Sequence, residues 1–285
     1  MNANLVAVGD NVVDRYVDRG VMYPGGNAVN VAVHARRCGA RSAYVGAVGT
    51  DRAGRAVLDA LVAEGVDTAQ VRVLDGPNAY AVVRVVEGNR VFGHADVGVS
   101  QFTLSDADLA AVAAADIVHT GECSLVEDQL ADLALAARRL SFDFSERPWS
   151  YVEKYARHAQ VAIRSCPGAT AEEAGAEAKR LQDLGPAVVA VTLGAAGAVL
   201  LGHQAFAYAR PEPAPVVDTL GAGDAFIARF LLGLTAGEDL RQLAQEATAY
   251  ATSTCASFGA FGYETAIEAT TTPPLDPNQQ GAFRS

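Results

Sequence analysis

Lysine is nearly absent from this chain of 285 residues, which contains only Lys154 and Lys179. Acidic residues outnumber basic ones, 33 Asp and Glu against 22 Lys and Arg, so the formal net charge is −11 with histidine neutral. Proteins that bind nucleic acids neutralise phosphates with clusters of Lys and Arg. The composition therefore argues against a nucleic-acid partner.

Long apolar runs and paired cysteines are also missing. The longest apolar stretch, Val188 to Leu201, is interrupted by Thr192, Gly194 and Gly197, and it is shorter than the ~20 residues that span a bilayer. The short apolar run at the N-terminus has no basic segment before it. The four cysteines form no C-x-x-C pair, which excludes a zinc ribbon or a thioredoxin-like site by motif. We expect a cytoplasmic protein with free thiols and no membrane contact.

Three common catalytic motifs are absent as well. The chain has no G-x-x-x-x-G-K-[ST], no G-x-G-x-x-G and no H-E-x-x-H. These absences exclude a P-loop kinase by motif and weaken the interpretation as a nucleotide-binding oxidoreductase or a zinc hydrolase.

What the chain does contain is a regular alternation of β-branched runs with Ala-rich segments of helical period. Half of the residues are hydrophobic and 27 are glycine, which is typical of a compact globular protein. The alternation predicts an α/β fold, a three-layer αβα sandwich with a mostly parallel central sheet. The predicted elements are Leu5–Val8, Ala28–Cys38, Ser42–Val48, Ala53–Glu64, Ile117–Thr120, Val126–Arg139, Leu140–Phe144, Val161–Arg164, Ala171–Leu184, Val188–Thr192, Ala222–Leu234 and Leu240–Ser257.

Two segments with a strand-like period interrupt this alternation. They lie at about residues 12–24 and 79–95, and Glu87-Gly88-Asn89 in the second is typical of a hairpin turn. We expect them to form a small antiparallel flap, or β lid, within a single domain of residues 1–269. The Pro-rich tail, residues 270–285, is predicted to be disordered.

A run of small residues precedes an apolar helical segment late in the chain: Asp218-Thr219-Leu220-Gly221-Ala222-Gly223-Asp224-Ala225-Phe226. Small residues at a helix start leave backbone N–H groups accessible, and the helix dipole favours an anion there. The run therefore predicts a phosphate-binding turn. Asp224, in the first helical turn, is either a helix cap or the base that accepts the proton of a substrate hydroxyl.

A second motif lies near the N-terminus, Pro24-Gly25-Gly26-Asn27-Ala28-Val29-Asn30. The diglycine lets the backbone approach a ligand, and amides three residues apart on a helix project to the same side. For this stretch alone, a Gly-Gly turn with Asn27 as helix cap is the favoured interpretation.

Together, the two motifs resemble the paired signatures of the ribokinase-like (PfkB) carbohydrate kinases. Within that family, the chain resembles the fructoselysine 6-kinases through Gly9-Asp10-Asn11-Val12-Val13-Asp14-Arg15-Tyr16, Gly25 to Val33, Arg90-Val91-Phe92-Gly93, Asp116-Ile117-Val118-His119, Phe142-Asp143-Phe144-Ser145 and Val191-Thr192-Leu193-Gly194. The resemblance implies an ATP-dependent kinase that phosphorylates the 6-hydroxyl of a fructosamine such as fructoselysine.

Residue roles follow from the resemblance, position by position. Asp224 is implied to be the general base, with the N–H groups of Gly221, Ala222 and Gly223 holding the transferring phosphoryl. Sugar contacts are implied at Asp14, Gly25, Gly26, Asn27 and Asn30. ATP contacts are implied at Thr192, Gly194, Gly197, Thr219, Gly221 and Gly223.

The resemblance also bears on metal ions. It implies a site for a monovalent cation, K⁺, at Asp218 and Leu220, completed by the loop Ser257–Gly262. Relatives carry an Asn-x-x-Glu segment that organises magnesium-bound water, but here the aligned residues are Arg164 to Gly168 and include neither. We therefore expect Mg²⁺ to be held mainly by the ATP phosphates and water. Glu172 or Glu173 is an alternative source of the missing magnesium-organising carboxylate. The favoured interpretation of both is a solvent-facing residue in the first turn of a helix.

Further candidates carry weaker signals. Arg90 and His94, in the predicted flap, are either sugar contacts or solvated hairpin residues, and Glu122 follows a predicted strand at a position where some relatives touch the sugar. His119 ends that strand and either borders the site or, as the favoured interpretation, is a buried histidine with satisfied hydrogen bonds.

Alternative functions remain open because the motifs specify phosphoryl transfer better than they specify the acceptor. One alternative is another PfkB-type kinase acting on fructose, ribose or an adenosine-like acceptor, and a second is a non-catalytic sugar-binding regulator. The predicted partners are a small-molecule sugar, ATP and a second copy of the chain bound through the β lid.

Overall fold

The computed structural model describes residues 3–86, 89–203 and 205–267, and it places side chains for all of these except 85–92. The tail predicted for residues 270–285 and the turn residues Glu87 and Gly88 lie outside the described residues. None of the described helices is long and apolar enough to cross a membrane.

The described chain forms strands and helices in alternation over much of its length. The strands are β1 Asn4–Val8, β2 Val12–Tyr16, β3 Val21–Gly25, β4 Arg41–Gly49, β5 Asp67–Leu74, β6 Tyr80–Val86, β7 Asn89–Asp96, β8 Ile117–Gly121, β9 Leu140–Asp143, β10 Val161–Ser165, β11 Val188–Thr192, β12 Ala198–Leu201, β13 Phe206–Ala209 and β14 Thr265–Ala266. The helices are α1 Asn27–Arg37, α2 Arg52–Ala63, α3 Asp106–Ala114, α4 Leu130–Ala136, α5 Trp149–Tyr155, α6 Ala171–Gln182, α7 Ala222–Ala236 and α8 Leu240–Thr254.

The larger sheet has the order β13-β12-β11-β10-β9-β8-β1-β4-β5. The seven strands from β11 to β5 are parallel, and β12 and β13 join antiparallel at one edge. The predicted α/β class with a mostly parallel sheet is therefore confirmed. In the sheet, the strand after β1 is β4, on one side of β1, and the strand after β8 is β9, on the other side of the β1–β8 pair. The sheet thus has a topological switch point between β1 and β8, where ligands bind in folds of this kind.

Both faces of this sheet are covered, as the buried side chains of β1 illustrate. Leu5 and Ala7 belong to the core cluster packed under α1, α2, α7 and α8. Val6 and Val8 belong to the cluster under α3, α4, α5 and α6. Successive strand residues point to opposite faces, so a strand buried on both sides is apolar throughout. This accounts for the continuous apolar runs in the sequence.

The smaller sheet has the order β14-β3-β2-β6-β7 and forms the lid. Both segments expected in the flap lie in it. Three of its four strand pairings are antiparallel, as expected, whereas β2 and β6 pair in parallel because they come from separate segments and no hairpin links them.

Several elements differ from the sequence expectations. The helix predicted over Val126–Arg139 is shorter, because residues 127–129 form a 3₁₀ turn and the backbone becomes extended at Ala137. Strands β5, β12, β13 and β14 and helices α3 and α5 were not predicted. The start of α3 nevertheless carries a sequence signal, a capping box in which Ser105 and Asp108 bond each other's backbone N–H.

Candidate active site

Two cavities lie beyond the carboxyl ends of the parallel strands. The first has a volume of about 340 Å³ and lies between the lid and the ends of β1, β8 and β9; the second has a volume of about 570 Å³ and lies between α7, α8 and the loop after β11. Gly223 lines both cavities. A ligand in one cavity can therefore meet a ligand in the other at the N-terminus of α7.

The turn that begins α7 is shaped by glycine. Gly221 is the N-cap residue with φ of 71°, and a Cβ there would approach the Cβ of Ala260 to 2.4 Å. Gly223 lies in open space with nothing within 4 Å of a built Cβ. Because α7 begins at Ala222, the helix itself supplies no carbonyl partner for the N–H groups of its first residues. The Ala222 N–H bonds the Thr219 carbonyl oxygen at 3.2 Å, which leaves the Gly223 end of the turn facing the cavities.

Asp224 stands at the same helix terminus and points into the first cavity. Its Oδ1 accepts a hydrogen bond from Asn27 Nδ2 at 2.8 Å, and its Oδ2 accepts one from Asn30 Nδ2 at 2.7 Å. Gly221, not Asp224, is the N-cap residue of α7, and both carboxylate oxygens of Asp224 bond asparagine side chains. The helix-cap alternative is therefore not what the structure shows. Asn27 is likewise not the cap of α1, because Gly26 holds that position and the Asn27 side chain turns toward Asp224.

The environment of Asp224 suits proton transfer near neutral pH. Burial raises its pKa from 3.8 to about 7, and the negative charge of Asp10 acts in the same direction. The hydrogen bonds from Asn30 and Asn27 oppose the shift by stabilising the ionised form. A carboxylate with a pKa close to the working pH is an effective general base.

Further carboxylates that the sequence reasoning did not assign surround the first cavity. Asp143, at the end of β9, accepts from Asn27 Nδ2 at 3.2 Å and from the Ser145 N–H at 2.8 Å. Burial raises its pKa to about 7, with contributions from the charges of Asp224, Glu122 and Asp10. Asp10 follows β1 and receives the N–H groups of Asn27 and Ala28 at 2.8 and 3.2 Å, so it caps α1.

A signal for these residues exists in the sequence. Asp143 ends a strand that was predicted to be parallel, and Asp10 lies two residues after another such strand. Carboxyl ends of parallel strands meet at one edge of a sheet, so polar residues at those positions were candidates to meet in space.

The diglycine is explained by close packing around the predicted sugar contacts. A Cβ on Gly25 would lie 2.6 Å from a carboxylate oxygen of the buried Asp14. Gly26 has φ of 106°, and a Cβ there would meet the backbone of Asn11 at 2.7 Å. Asp14, Gly26, Asn27 and Asn30 all line the first cavity. The buried Oδ1 of Asn30 has no hydrogen-bond partner among the described residues, which leaves it available as an acceptor for a ligand.

Of the weaker candidates, Glu122 lines the first cavity and His94 does not. Glu122 is buried, lines the cavity and accepts from Arg147 Nε at 2.7 Å. His94 is exposed and contacts the ring of Tyr80 edge-on with 5.8 Å between ring centroids; Tyr80, rather than His94, lines the cavity. Arg90 lies in β7, and its side chain is outside the described part of the chain.

The predicted nucleotide-loop residues lie together in the second cavity. Thr192, Gly194 and Gly197 line it, as do Thr219, Ala222 and Gly223. Gly197 has φ of 103°, and a Cβ there would come within 1.9 Å of the Ala209 carbonyl oxygen. The hairpin of β12 and β13 therefore requires glycine at this position.

Protein donors already bond Asp218, the carboxylate of the predicted cation site. Asp218 is buried, and its carboxylate accepts from the Tyr16 hydroxyl at 2.6 Å, the Gly259 N–H at 3.0 Å and the Leu220 N–H at 3.0 Å. These three donors already stabilise the carboxylate charge, so the donor set does not call for a cation. The monovalent cation stays a prediction, and we derive no step through it.

The part of the chain that the structure describes offers no protein cage for magnesium. No group of three or more His, Cys, Asp or Glu residues within residues 3–86, 89–203 and 205–267 is arranged to hold a metal ion. Glu173 bonds the Thr170 N–H at 2.8 Å in a capping box at the start of α6, which agrees with the favoured interpretation of that residue.

Fold and site together define a phosphotransferase class: an αβα core, a β lid, and a carboxylate beside a glycine turn where two cavities meet. The model of the pfkB family carbohydrate kinases matches residues 1–265. The chain belongs to this family, and it is a sugar kinase.

Similarity to curated proteins is extensive. The chain is 37% identical over 265 residues to the fructosamine kinase FrlD of Bacillus subtilis, a match that covers 91% of this chain and 93% of the relative. It is also 37% identical over 259 residues to the fructoselysine 6-kinase of Escherichia coli, with 90% and 99% covered. The predicted family resemblance is thereby confirmed.

Among solved structures, the ribokinase of Arabidopsis thaliana, complexed with ribose and ATP, superposes with a TM-score of 0.81 at 24% identity. The superposition covers 92% of this chain and 95% of that one. The predicted ribokinase-like fold is confirmed by this similarity.

Proposed function

We propose that this protein transfers the γ-phosphoryl group of ATP to the 6-hydroxyl of a fructosamine such as fructoselysine. The observation that carries the proposal is the position of Asp224. Its carboxylate lies at the start of α7, where the two cavities meet, and it is held by two amides. The sugar occupies the first cavity, and ATP occupies the second.

Asp224 acts as the general base. The acceptor hydroxyl lies against its carboxylate and gives up its proton as the oxygen attacks the γ-phosphorus. The bond from the γ-phosphorus to the β–γ bridging oxygen breaks, and ADP leaves. Asn27 and Asn30 hold the two carboxylate oxygens in place, so the base has one orientation before substrate binds. The N–H groups of the Gly221–Gly223 turn and the dipole of α7 stabilise the charge on the transferring phosphoryl.

Mg²⁺, held by the ATP phosphates and water, would screen the charge of those phosphates. The chain supplies backbone donors and orientation. Residues of β2, β6 and β7 line the first cavity from the lid side, so lid closure over the sugar excludes water from the phosphoryl group. We propose in addition that two chains pair through their lids, which sedimentation analysis would test.

The charge of the first cavity supports a cationic acceptor. Its described lining includes six carboxylates, Asp10, Asp14, Asp96, Glu122, Asp143 and Asp224, and no Lys, Arg or His. Arg147 neutralises one of them, Glu122. An amine-linked sugar carries an ammonium group that this field attracts, whereas free fructose and ribose carry none. Two relatives at 37% identity are named for fructosamine and fructoselysine.

The test is an ADP-release screen across fructoselysine, other fructosamino acids, fructose, ribose and adenosine. We expect kcat/KM to be highest for a fructosamine. Turnover of another sugar with none on any fructosamine would refute the acceptor, and calorimetric sugar binding without turnover would indicate a regulator. Asp59→Asn, at an exposed position of α2, serves as the matched control for Asp224→Asn.

A further inference from the structure

A chain of buried side chains runs from the sheet to the two carboxylates of the sugar cavity. Ser141 Oγ lies 3.1 Å from His119 Nδ1, and His119 Nε2 lies 3.0 Å from Asn27 Oδ1. The Nδ2 of Asn27 then bonds Asp224 at 2.8 Å and Asp143 at 3.2 Å. His119 and Ser141 are both fully buried, and the register of β8 and β9 sets them opposite each other.

Hydrogen-bond chemistry allows one consistent set of proton positions along this chain. Above about pH 7, where Asp224 and Asp143 are ionised, both carboxylates only accept hydrogen bonds. The Asn27 NH₂ group must then face them, and its oxygen must face His119. The Nε2 of His119 must then carry the proton and donate it. With one proton on a neutral ring, Nδ1 must accept, and the Ser141 hydroxyl must donate to it.

The remaining surroundings keep this assignment stable. Burial lowers the pKa of His119 to about 3, so the ring is neutral wherever the enzyme works. The charged groups that face the Asn27 end are Asp10, Asp143, Asp224 and, through its effect on Asp143, Glu122. All are acidic, so each favours the orientation in which the NH₂ group of Asn27 faces the carboxylates.

We infer that His119 is a positioning residue of the phosphoryl-transfer site: its Nε2–H fixes the amide of Asn27 in the orientation that donates to both Asp224 and Asp143. The inference rests on the proposed function for its kinetic consequence, but the hydrogen-bond assignment itself does not depend on turnover. Without the histidine donor, the amide can turn its oxygen toward the carboxylates. That arrangement removes a donor from Asp224 and adds a repulsive acceptor.

The kinetic test compares His119→Met with His119→Gln. Methionine fills the space without a donor, whereas the Gln amide retains an N–H close to the position of Nε2. Loss of a donor raises the pKa of the base, so we expect His119→Met to move the acid limb of kcat/KM up by about one pH unit and to lower kcat/KM about tenfold at pH 6. His119→Gln should stay within about threefold of wild type.

The control is His34→Gln, a second buried histidine, whose ring contacts Tyr250 and Ala260 rather than Asn27. His34→Gln should lower Tm without moving the acid limb of the pH profile of kcat/KM. A folded His119→Met with the wild-type pH profile would overturn the inference, and so would a His119→Gln variant no better than His119→Met. Thermal melts of each variant show which ones are folded.

A second readout needs no substrate. The ¹⁵N shifts of histidine-labelled protein, assigned with His119→Gln, report which ring nitrogen carries the proton. The Nε2–H form supports the inference, and the Nδ1–H form overturns it. If the wild type phosphorylates no sugar, the proposed function fails, and this spectrum still decides the His119–Asn27 contact.

Discussion

Replacing Asp224 with asparagine should make the protein more stable and almost inactive at the same time. The carboxylate is ionised in a site that disfavours charge, since burial raises its pKa from 3.8 to about 7. At 1.36 kcal/mol per pH unit, this corresponds to about 4 kcal/mol of stability lost at high pH. Asparagine removes the charge but keeps one acceptor, so one of the two amide bonds is lost at a cost of about 1–2 kcal/mol.

The sign depends on pH. Because the folded-state pKa lies above the unfolded value, the carboxyl stabilises the fold below pH 3.8, and that contribution is lost as the pH rises through about 7. We expect Asp224→Asn to exceed wild type by about 2 kcal/mol at pH 8.5, which is about 3 °C in Tm for a chain of this size. At pH 4 the gain should vanish, and the lost hydrogen bond should leave the variant slightly less stable.

The assay pairs urea unfolding at both pH values with steady-state kinetics in which sugar and ATP are each varied. Removing a general base lowers kcat by about 10²–10⁴-fold. Asp59→Asn should change neither quantity. If Asp224→Asn is no more stable than wild type at pH 8.5, the ionised carboxylate does not destabilise the fold. Near-normal turnover with sugar and ATP still bound would refute the role of Asp224 as base.

Three further outcomes follow from the same geometry. Gly223→Ala places a methyl group in open space facing both cavities, so Tm should be unchanged while kcat/KM falls at least tenfold. Wild-type kinetics would contradict the assignment of this turn to both the sugar and the ATP site. Gly197→Ala meets the Ala209 carbonyl oxygen at 1.9 Å with φ of 103°, so it should lower Tm by several degrees and raise KM for ATP, both checked against wild type in parallel. The acidic lining of the first cavity predicts that kcat/KM for a cationic fructosamine falls about threefold between 50 and 200 mM salt, while that for fructose stays constant; equal salt dependence for both sugars would remove the electrostatic argument.

Much of the architecture is legible in the sequence because it depends on local patterns. Continuous apolar runs such as Leu5–Val8 arise from burial on both faces of a parallel strand. Prediction failed where local signals are weak. Strand β5 lies at the sheet edge with Val73 and Leu74 exposed, so it lacks the continuous apolar run of the central strands. Helix α5 has seven residues and no side-chain cap bond, which leaves little signal for pattern reasoning.

The glycine turn and the Asn27–Asn30 pair could be recognised from sequence because their spacing is set within one helix turn. The carboxylates around them could not be assembled in this way. Asp10, Asp143 and Asp224 lie up to 214 residues apart in the chain, and they meet because the switch point between β1 and β8 brings strand ends and the start of α7 to one edge.

The scarcity of lysine and the net charge of −11 follow from composition alone, and they already argue against a nucleic-acid partner. Only the tertiary structure decided where that charge matters. It concentrates six carboxylates in one cavity, and burial there raises the pKa of Asp224 and Asp143 to about 7. A pKa depends on desolvation and on neighbours in space, and neither can be read from the order of residues along the chain.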